Sequence, residues 1–324
     1  MTLAIKNFVL SAAVVAVASL AGLSVATADD TITIGTVGSG SALDWPLLVG
    51  VEKGFFKNDG LTIDVVSAPS SAAVQQQLAA GSLNMGTGGL VDPIRAIDKG
   101  APIAILRIEA QSAPYELYVK PTIKSYADLK GKTIIVGGVK DVTRIYLQRM
   151  AEANGLKPTD YDLIYAGATS ARFAALASGA VDGALISAPF NFMAASSGLK
   201  SLGTTYDYVK DFPFTGYSVN TGWAKAHHHA VQQFLAGYVQ SVKWLNDPAN
   251  REEANKILVD KTGAKPDDAS KTYDFFKKIA IYGVDGVVDQ ASLGTLLHIL
   301  KDLGDVTGST DLGRFYDASL VAKD

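Results

Sequence analysis

The sequence predicts an α/β protein of two similar lobes, each a mainly parallel sheet flanked by helices. Three observations carry that expectation. β-branched runs alternate with helical stretches, which places helices on both faces of parallel strands. The alternation occurs twice, about a hundred residues apart. Within each copy the same serine, threonine and glycine punctuation opens and closes the helices. The 324 residues leave room for about two domains. A composition 48% hydrophobic and 19% charged supplies a sizeable core and excludes a disordered tail.

The first 28 residues read as an address. Lys6 gives a positive start, Phe8 to Val25 is apolar apart from Ser and Gly, and Ala26-Thr27-Ala28 offers a small-x-small cleavage pattern before Asp29-Asp30. The rival reading is a membrane anchor, since ~20 apolar residues can span a bilayer. Ala and Ser dilute the run and the cleavage pattern follows at once, so 1-28 is expected to be a cleavable signal peptide. Cysteine is absent, which removes disulfides, thiolate metal sites, Cys nucleophiles and a lipid-anchored Cys together. An exported chain without cysteine fits a free protein of a bacterial periplasm.

The elements follow in order. Thr31 to Gly35 is a strand, Gly38-Ser39-Gly40-Ser41 a loop, and about Leu43 to Phe56 a helix. Asn58-Asp59-Gly60 turns the chain into a strand over Leu61 to Val66. Pro69-Ser70-Ser71 caps a helix through Ala80, Gly81 ends it, and Leu83 to Gly86 is a strand. In the second copy Lys132 to Val136 is a strand followed by Gly137-Gly138. A helix then runs from about Val142 to Asn154, and Tyr161 to Ala166 is the next strand. Thr169-Ser170 caps a helix through Ser178, Gly179 ends it, and Asp182 to Ile186 is a strand. At an offset of 98, Leu78, Gly81 and Asn84 fall on Leu176, Gly179 and Asp182. Tyr115 to Val119 reads as a strand leaving the first lobe, and Phe214 to Trp223 as the return. Helical patterns over Val231 to Leu245, Glu252 to Val259 and Tyr273 to Ile281 form a tail that packs back on the first lobe or forms a helical domain of its own. The expected limits are 29-117 plus 218-324 for lobe 1, and 118-217 for lobe 2.

In open parallel sheets ligands bind beyond the carboxyl ends of the strands. Those ends carry Gly38 to Ser41, Pro69-Ser70-Ser71 and Thr87-Gly88-Gly89 in one lobe. The other offers Gly137-Gly138, Ala168-Thr169-Ser170 and Ser187-Ala188-Pro189. Small, hydroxyl-bearing loops ahead of helices aim backbone N–H groups and positive dipole ends at a shared cleft. Candidate ligand contacts are therefore Ser39, Gly40, Ser41, Ser70, Ser71, Thr87, Gly88, Gly138, Thr143 and Ser187. Ser70 and Ser71 also read as plain N-caps. Trp45 is either core or a stacking wall. Arg144, with Lys140, reads equally as a fork for an anion or as a solvated helix start, and Arg172 as surface. Gln111 and Ser112 lie near the hinge. Phe190 and Tyr217 bracket a ring or fill the core.

These phrases resemble the bacterial periplasmic solute-binding proteins of the nitrate/sulfonate/taurine type, related to the thiamine-precursor-binding proteins. Gly50-Val51-Glu52-Lys53-Gly54-Phe55-Phe56 with Gly60-Leu61 resembles the family's opening, and Ala79 to Gly86 its glycine-to-Asp step. Tyr126 to Lys132 resembles the entry to lobe two, and Ala177 to Ala184 repeats the glycine-to-Asp step there. The match covers roughly Thr31 to Trp223. Asn84 stands where the family commonly has Asp, and the loop Gly138 to Arg144 lacks the Ser-rich form common in sulfonate binders. The resemblance implies a type II periplasmic-binding-protein fold that closes by hinge rotation around one solute. It also implies delivery of that solute to an ABC permease and its ATPase in the inner membrane.

The expectation is thus a monomeric transport receptor without cofactor, capturing a small organic anion, sulfonate or carboxylate, aromatic or not. The alternatives are a pyrimidine or thiamine-precursor heterocycle, an enzyme on the same fold, or a sensory subunit. Enzymes resembling this family use a cysteine-rich segment that this chain lacks. Gly38 to Ser41 is followed by no Lys-Ser/Thr pair and is no P-loop, and its third glycine is missing for a dinucleotide fingerprint. No basic block suggests nucleic acid, the formal net charge being −3. His227-His228-His229 point about 100° apart on a helix and make a poor metal site. Asp44, Glu109 and Asp141 are scattered carboxylates that no motif joins.

Overall fold

In a computed structural model the chain is described over residues 30–209, 212–283 and 288–321. The signal-peptide expectation therefore lies outside the described residues.

The first sheet has the order β2-β1-β3-β10-β4. β1 (Asp30–Val37) and β2 (Leu61–Ala68) run parallel in register from Asp30↔Leu61 to Val37↔Ala68. β3 (Met85–Gly89) continues parallel, and β4 (Ile103–Ala110) is buried along its whole length. The second sheet, β7-β6-β8-β5-β9, is built the same way. β6 (Thr133–Val136), β7 (Asp162–Tyr165) and β8 (Gly183–Ser187) are parallel, and β9 (Lys200–Thr204) lies beyond β5 (Tyr115–Val119). Each sheet has one reversed strand, β5 in the second and β10 (Thr215–Asn220) in the first. These reversed strands are the ones by which the chain enters each sheet after crossing from the other.

The helices before the second crossing are α1 (Trp45–Glu52), α2 (Ser71–Ala79), α3 (Val91–Asp98), α4 (Val142–Ala153), α5 (Thr169–Ala177), α6 (Phe190–Ser196) and α7 (Thr205–Tyr208). After it come α8 (Thr221–Ala226), α9 (His228–Asn246), α10 (Arg251–Thr262), α11 (Pro266–Lys278) and α12 (Gln290–Asp302). Internal duplication reaches atomic detail. The C-caps of α2 and α5, Ala80 and Ser178, share φ −75° and ψ −9°. Gly81 and Gly179 then turn at φ 77° and 78°, a left-handed conformation that favours glycine. Asn84 Oδ1 accepts from the Thr33 N–H at 2.7 Å, and Asp182 Oδ2 accepts from the Thr133 N–H at 3.0 Å. One acceptor thus pins the neighbouring strand in each half, supplied by Asn84 in the first and Asp182 in the second.

The tail packs on the first sheet's side. Phe56 stacks on Phe234 of α9 with ring centroids 5.6 Å apart, and Gly50 leaves room for the Phe56 ring, since a Cβ there would sit 2.4 Å from it. The Ile105 N–H donates to Phe315 O at 2.7 Å, so the C-terminal segment covers the open edge of β4. The two crossing segments lie side by side. Phe214 N–H donates to Ala110 O at 2.9 Å, Thr205 Oγ1 accepts from the Tyr115 N–H at 3.2 Å and donates to Ala113 O, and the Tyr115 and Phe214 rings meet edge to face at 5.1 Å.

Several expectations need correction. The first helix is split and shorter: a 3-10 turn over Ala42–Asp44 precedes α1, which Pro46 opens and which stops at Glu52. β3 begins at Met85, later than expected. Tyr115–Val119 pairs only within the second sheet and Thr215–Asn220 only within the first. Residues 115–117 and 215–217 therefore pair with the sheet opposite to the one the expected limits gave them. We propose lobe limits that follow the sheets. α3, α6 and β9 carry too few local signals to be read from sequence.

Candidate functional site

Between the sheets lies a cavity of about 50 Å³, lined by Val37, Ser41, Leu43, Asp44, Ser71, Thr87, Gly88, Gly89, Glu109, Tyr115, Asp141, Val142, Gly167, Thr169, Phe214 and Thr215. Four helix starts converge on it. Asp44 precedes α1, Ser71 opens α2, Asp141 caps α4 with Val142 following, and Thr169 opens α5. Lobe one supplies two of these positive ends and lobe two the other two.

Of the expected contacts, Ser41, Ser71, Thr87 and Gly88 line the cavity. Ser41 also accepts from Leu43 N–H at 3.2 Å. Ser71 Oγ reaches Gly89 O at 3.4 Å. The others do not line it. Ser39 is exposed, Gly40 packs on Thr262, and Ser70 caps α2 by accepting from Ala73 N–H at 3.2 Å. Gln111 uses its N–H on Ile281 O, and Gly138 lies behind Asp141. Thr143 is buried, accepting from Gly137 N–H at 2.7 Å and donating to Asp141. Ser187 is buried against Thr169.

The aromatic candidates are core. Trp45 is 1% exposed, donates Nε1–H to Ala254 O at 3.2 Å and meets Tyr273 edge to face. Tyr217 is closed in by Phe234 and Tyr238, and Phe190 by Phe173. The walls are instead Tyr115 and Phe214. The cations are also misplaced by sequence reasoning. Arg144 turns to the rim and donates to Val139 O at 2.7 Å. Arg172, read as surface, is 1% exposed. Helical side chains lean toward the N-terminus, so its guanidinium folds back on its own helix start, donating to Ala166 O at 2.9 Å, Gly167 O at 2.6 Å, Thr169 Oγ1 at 2.8 Å and Leu185 O at 2.8 Å. It fixes a cavity loop and is spent on carbonyls. His227 lies flat on Trp223, away from the cavity, and no cluster of metal-binding side chains forms among the described residues.

What the sequence left scattered, the fold gathers. Asp44, Glu109 and Asp141 all face the cavity. Glu109 is fully buried; its Oε2 accepts from Thr87 at 2.9 Å and its Oε1 from Tyr238 at 2.9 Å. Burial pushes its carboxyl up, against the pull of those two hydrogen bonds and of Arg107. Asp141 accepts from Thr143 N–H at 2.8 Å. Asp44 has no hydrogen-bond partner among the described residues, and removal from water, then the Glu109 charge, hold its carboxyl well above the carboxylate range. Two of the four helix starts thus carry a carboxylate of their own, while those of α2 and α5 present only hydroxyls. The cavity can accept hydrogen bonds on one side and donate them on the other.

Two sheets with one reversed strand each, facing across a cavity ringed by helix starts, define the two-lobed α/β fold of the periplasmic binding proteins. The chain belongs to the NMT1/THI5-like family, whose model matches residues 44–251. It is 26% identical over 244 residues to the nitrate/nitrite binding protein NrtA of Nostoc sp., covering 67% of this chain and 54% of that protein. It is 25% identical over 131 residues to the 4-amino-5-hydroxymethyl-2-methylpyrimidine phosphate synthase THI11 of Saccharomyces cerevisiae, 40% of this chain and 38% of that one. It therefore spans about half or less of the curated relatives it matches. Among solved structures, the alkanesulfonate-binding protein SsuA of Xanthomonas axonopodis pv. citri bound to MOPS superposes with a TM-score of 0.70 at 20% identity, over 90% of this chain and 97% of that one. No helix of the described residues is long and apolar enough to cross a membrane.

Proposed function

We propose that the protein is the periplasmic, monomeric substrate-binding component of an ABC importer, closing its lobes on a small solute and handing it to the membrane permease. Membership of a family with nitrate-binding and sulfonate-binding relatives supports the receptor role. For the solute, the cavity argues for a compact nitrogen heterocycle of the aminopyrimidine class ahead of the organic anion expected from sequence. The observation that carries this is Asp44, a carboxyl without a partner beside Glu109 in the cavity wall. Among the described residues no arginine or lysine side chain lines the cavity to pair with a carboxylate or sulfonate, and Arg144 is spent on Val139 O. An amino group on a ring satisfies Asp44, ring nitrogens accept from the starts of α2 and α5, and Tyr115 and Phe214 flank the ring.

A thermal-shift series on the mature chain tests this with aminopyrimidines, sulfonates, carboxylates and nitrate. A solute at a hundred times its Kd should stabilise by ~2.7 kcal/mol. Stabilisation by aminopyrimidines that Asp44→Asn abolishes supports the reading. Stabilisation by the anions alone overturns the solute class and leaves the receptor. Turnover of any panel member makes the protein an enzyme, the role of its yeast relative.

A further inference from the structure

We propose that Gly167 is the positioning residue on which the two lobes shut, its missing side chain being the space that lobe one's backbone occupies in the closed form. Gly167 follows β7 in lobe two, and its φ lies outside the left-handed region, so its own backbone would accept any residue. Space is what excludes a side chain. A Cβ at 167 would stand 2.4 Å from Pro69 O, 2.6 Å from Ser70 Cβ and 2.8 Å from Ser70 Cα, all across the cleft. The next residue repeats the approach, for a Cβ on Gly38 would lie 2.7 Å from Ala168 Cβ.

Neither side of this seam can yield locally. In lobe one, Ala68 O is held by Gly38 N–H at 2.8 Å, and Ser70 is fastened to α2 as its cap. In lobe two, Arg172 grips Ala166 O and Gly167 O. A side chain at 167 must therefore move one lobe as a body. Elsewhere on the rim the lobes meet through softer contacts. Ala42 N–H donates to Ala188 O at 3.3 Å, Ser196 Oγ meets Asp268 at 3.3 Å, and Arg95 reaches Lys140 O. The clasp of Gly167 on Pro69-Ser70 seals the cavity wall, since Gly167, Ser71 and Thr169 line it together.

The steric argument is independent of the solute; only its consequence for solute capture rests on the proposed receptor role. The chain has no cysteine, so Ser196→Cys with Lys271→Cys gives a reporter pair across the rim, away from the seam and one turn from the Ser196–Asp268 contact. A short bismaleimide bridges the pair irreversibly and accumulates each closing event, with no solute needed. The expected result is efficient bridging in the parent, at least tenfold slower bridging with Gly167→Val, and an intermediate rate with Gly167→Ala. Melting temperature and circular dichroism identify the folded variants, and Gly167→Ala carries the test should the valine misfold. Equal bridging rates in a folded variant, or no bridging in the parent, overturn the proposal. A solute panel that shifts nothing while bridging behaves as expected would sink the receptor reading and leave the seam intact.

Discussion

Asp92, which opens on the groove between α2 and α3, shows how single carboxyls set the pH response. Burial and then the Asp141 charge raise it to about 6, against the Ser71 hydrogen bond and Arg95. A carboxyl raised in the folded state holds its proton better there than in the unfolded chain. Its contribution is thus fully present below the ordinary carboxylate pKa and is lost as pH rises through about 6. Asp44 and Glu109 act in the same sense. Asp98, Asp182 and Asp289, lowered chiefly by hydrogen bonds, act in the opposite sense and lose their contribution only in more acid solution. The melting temperature should therefore fall between pH 5 and pH 8. Asp92→Asn should flatten that fall by about 1–1.5 kcal/mol, since only about one unit of the shift lies above pH 5, read from denaturant midpoints at the two pH values. A slope unchanged by Asp92→Asn would remove Asp92 as its source. Trp45→Ala should cost about 3–5 kcal/mol as a core truncation and spare solute binding, because the ring faces Tyr273 and Phe276 and not the cavity.

At the scale of elements, the duplicated strand–helix–strand units should fail alike. Asn84→Ala and Asp182→Ala each remove the acceptor that pins a strand N–H, at about 1–2 kcal/mol apiece. Only the Asp182 variant also loses the Lys120 ion pair at 2.9 Å, so its penalty alone should shrink in acid. Urea titrations of both at pH 7 and pH 3.5 check this. These units were legible because caps, glycine stops and β-branched runs are written within about ten residues of one another. The serine, threonine and glycine positions at helix starts and strand ends were legible for the same reason, which is why Ser41 and Ser71, and Thr87 and Gly88 at the end of β3, could be named. The carboxylates were not. Asp44 reads locally as a helix-start acid and Glu109 as an oddity within an apolar strand, and only the sheet order brings them to one wall. The aromatics misled because one dimension does not distinguish a ring in the core from a ring at a surface, and Arg172 because its backward lean is invisible in spacing.

For the whole molecule, the proposed balance between open and shut lobes would rest on few groups. Arg95 of α3 bonds Lys140 O in the other lobe and pairs with Asp305 beside it. Arg95→Ala should weaken solute retention several-fold with little change in the melting temperature of the empty protein, as dissociation rates would show; unchanged rates would remove it from the closing contacts. The side-by-side crossing segments have a further bearing. With Thr205 Oγ1 tied to both Ala113 and Tyr115, and Phe214 strapped to Ala110, the connectors behave as one axle and not as two loose tethers. In the proposed closure the halves would swing like a book on its spine without slewing past each other. On the proposed receptor role, each swing would bring the same groups back face to face, so that selectivity would survive repeated cycles without being rebuilt.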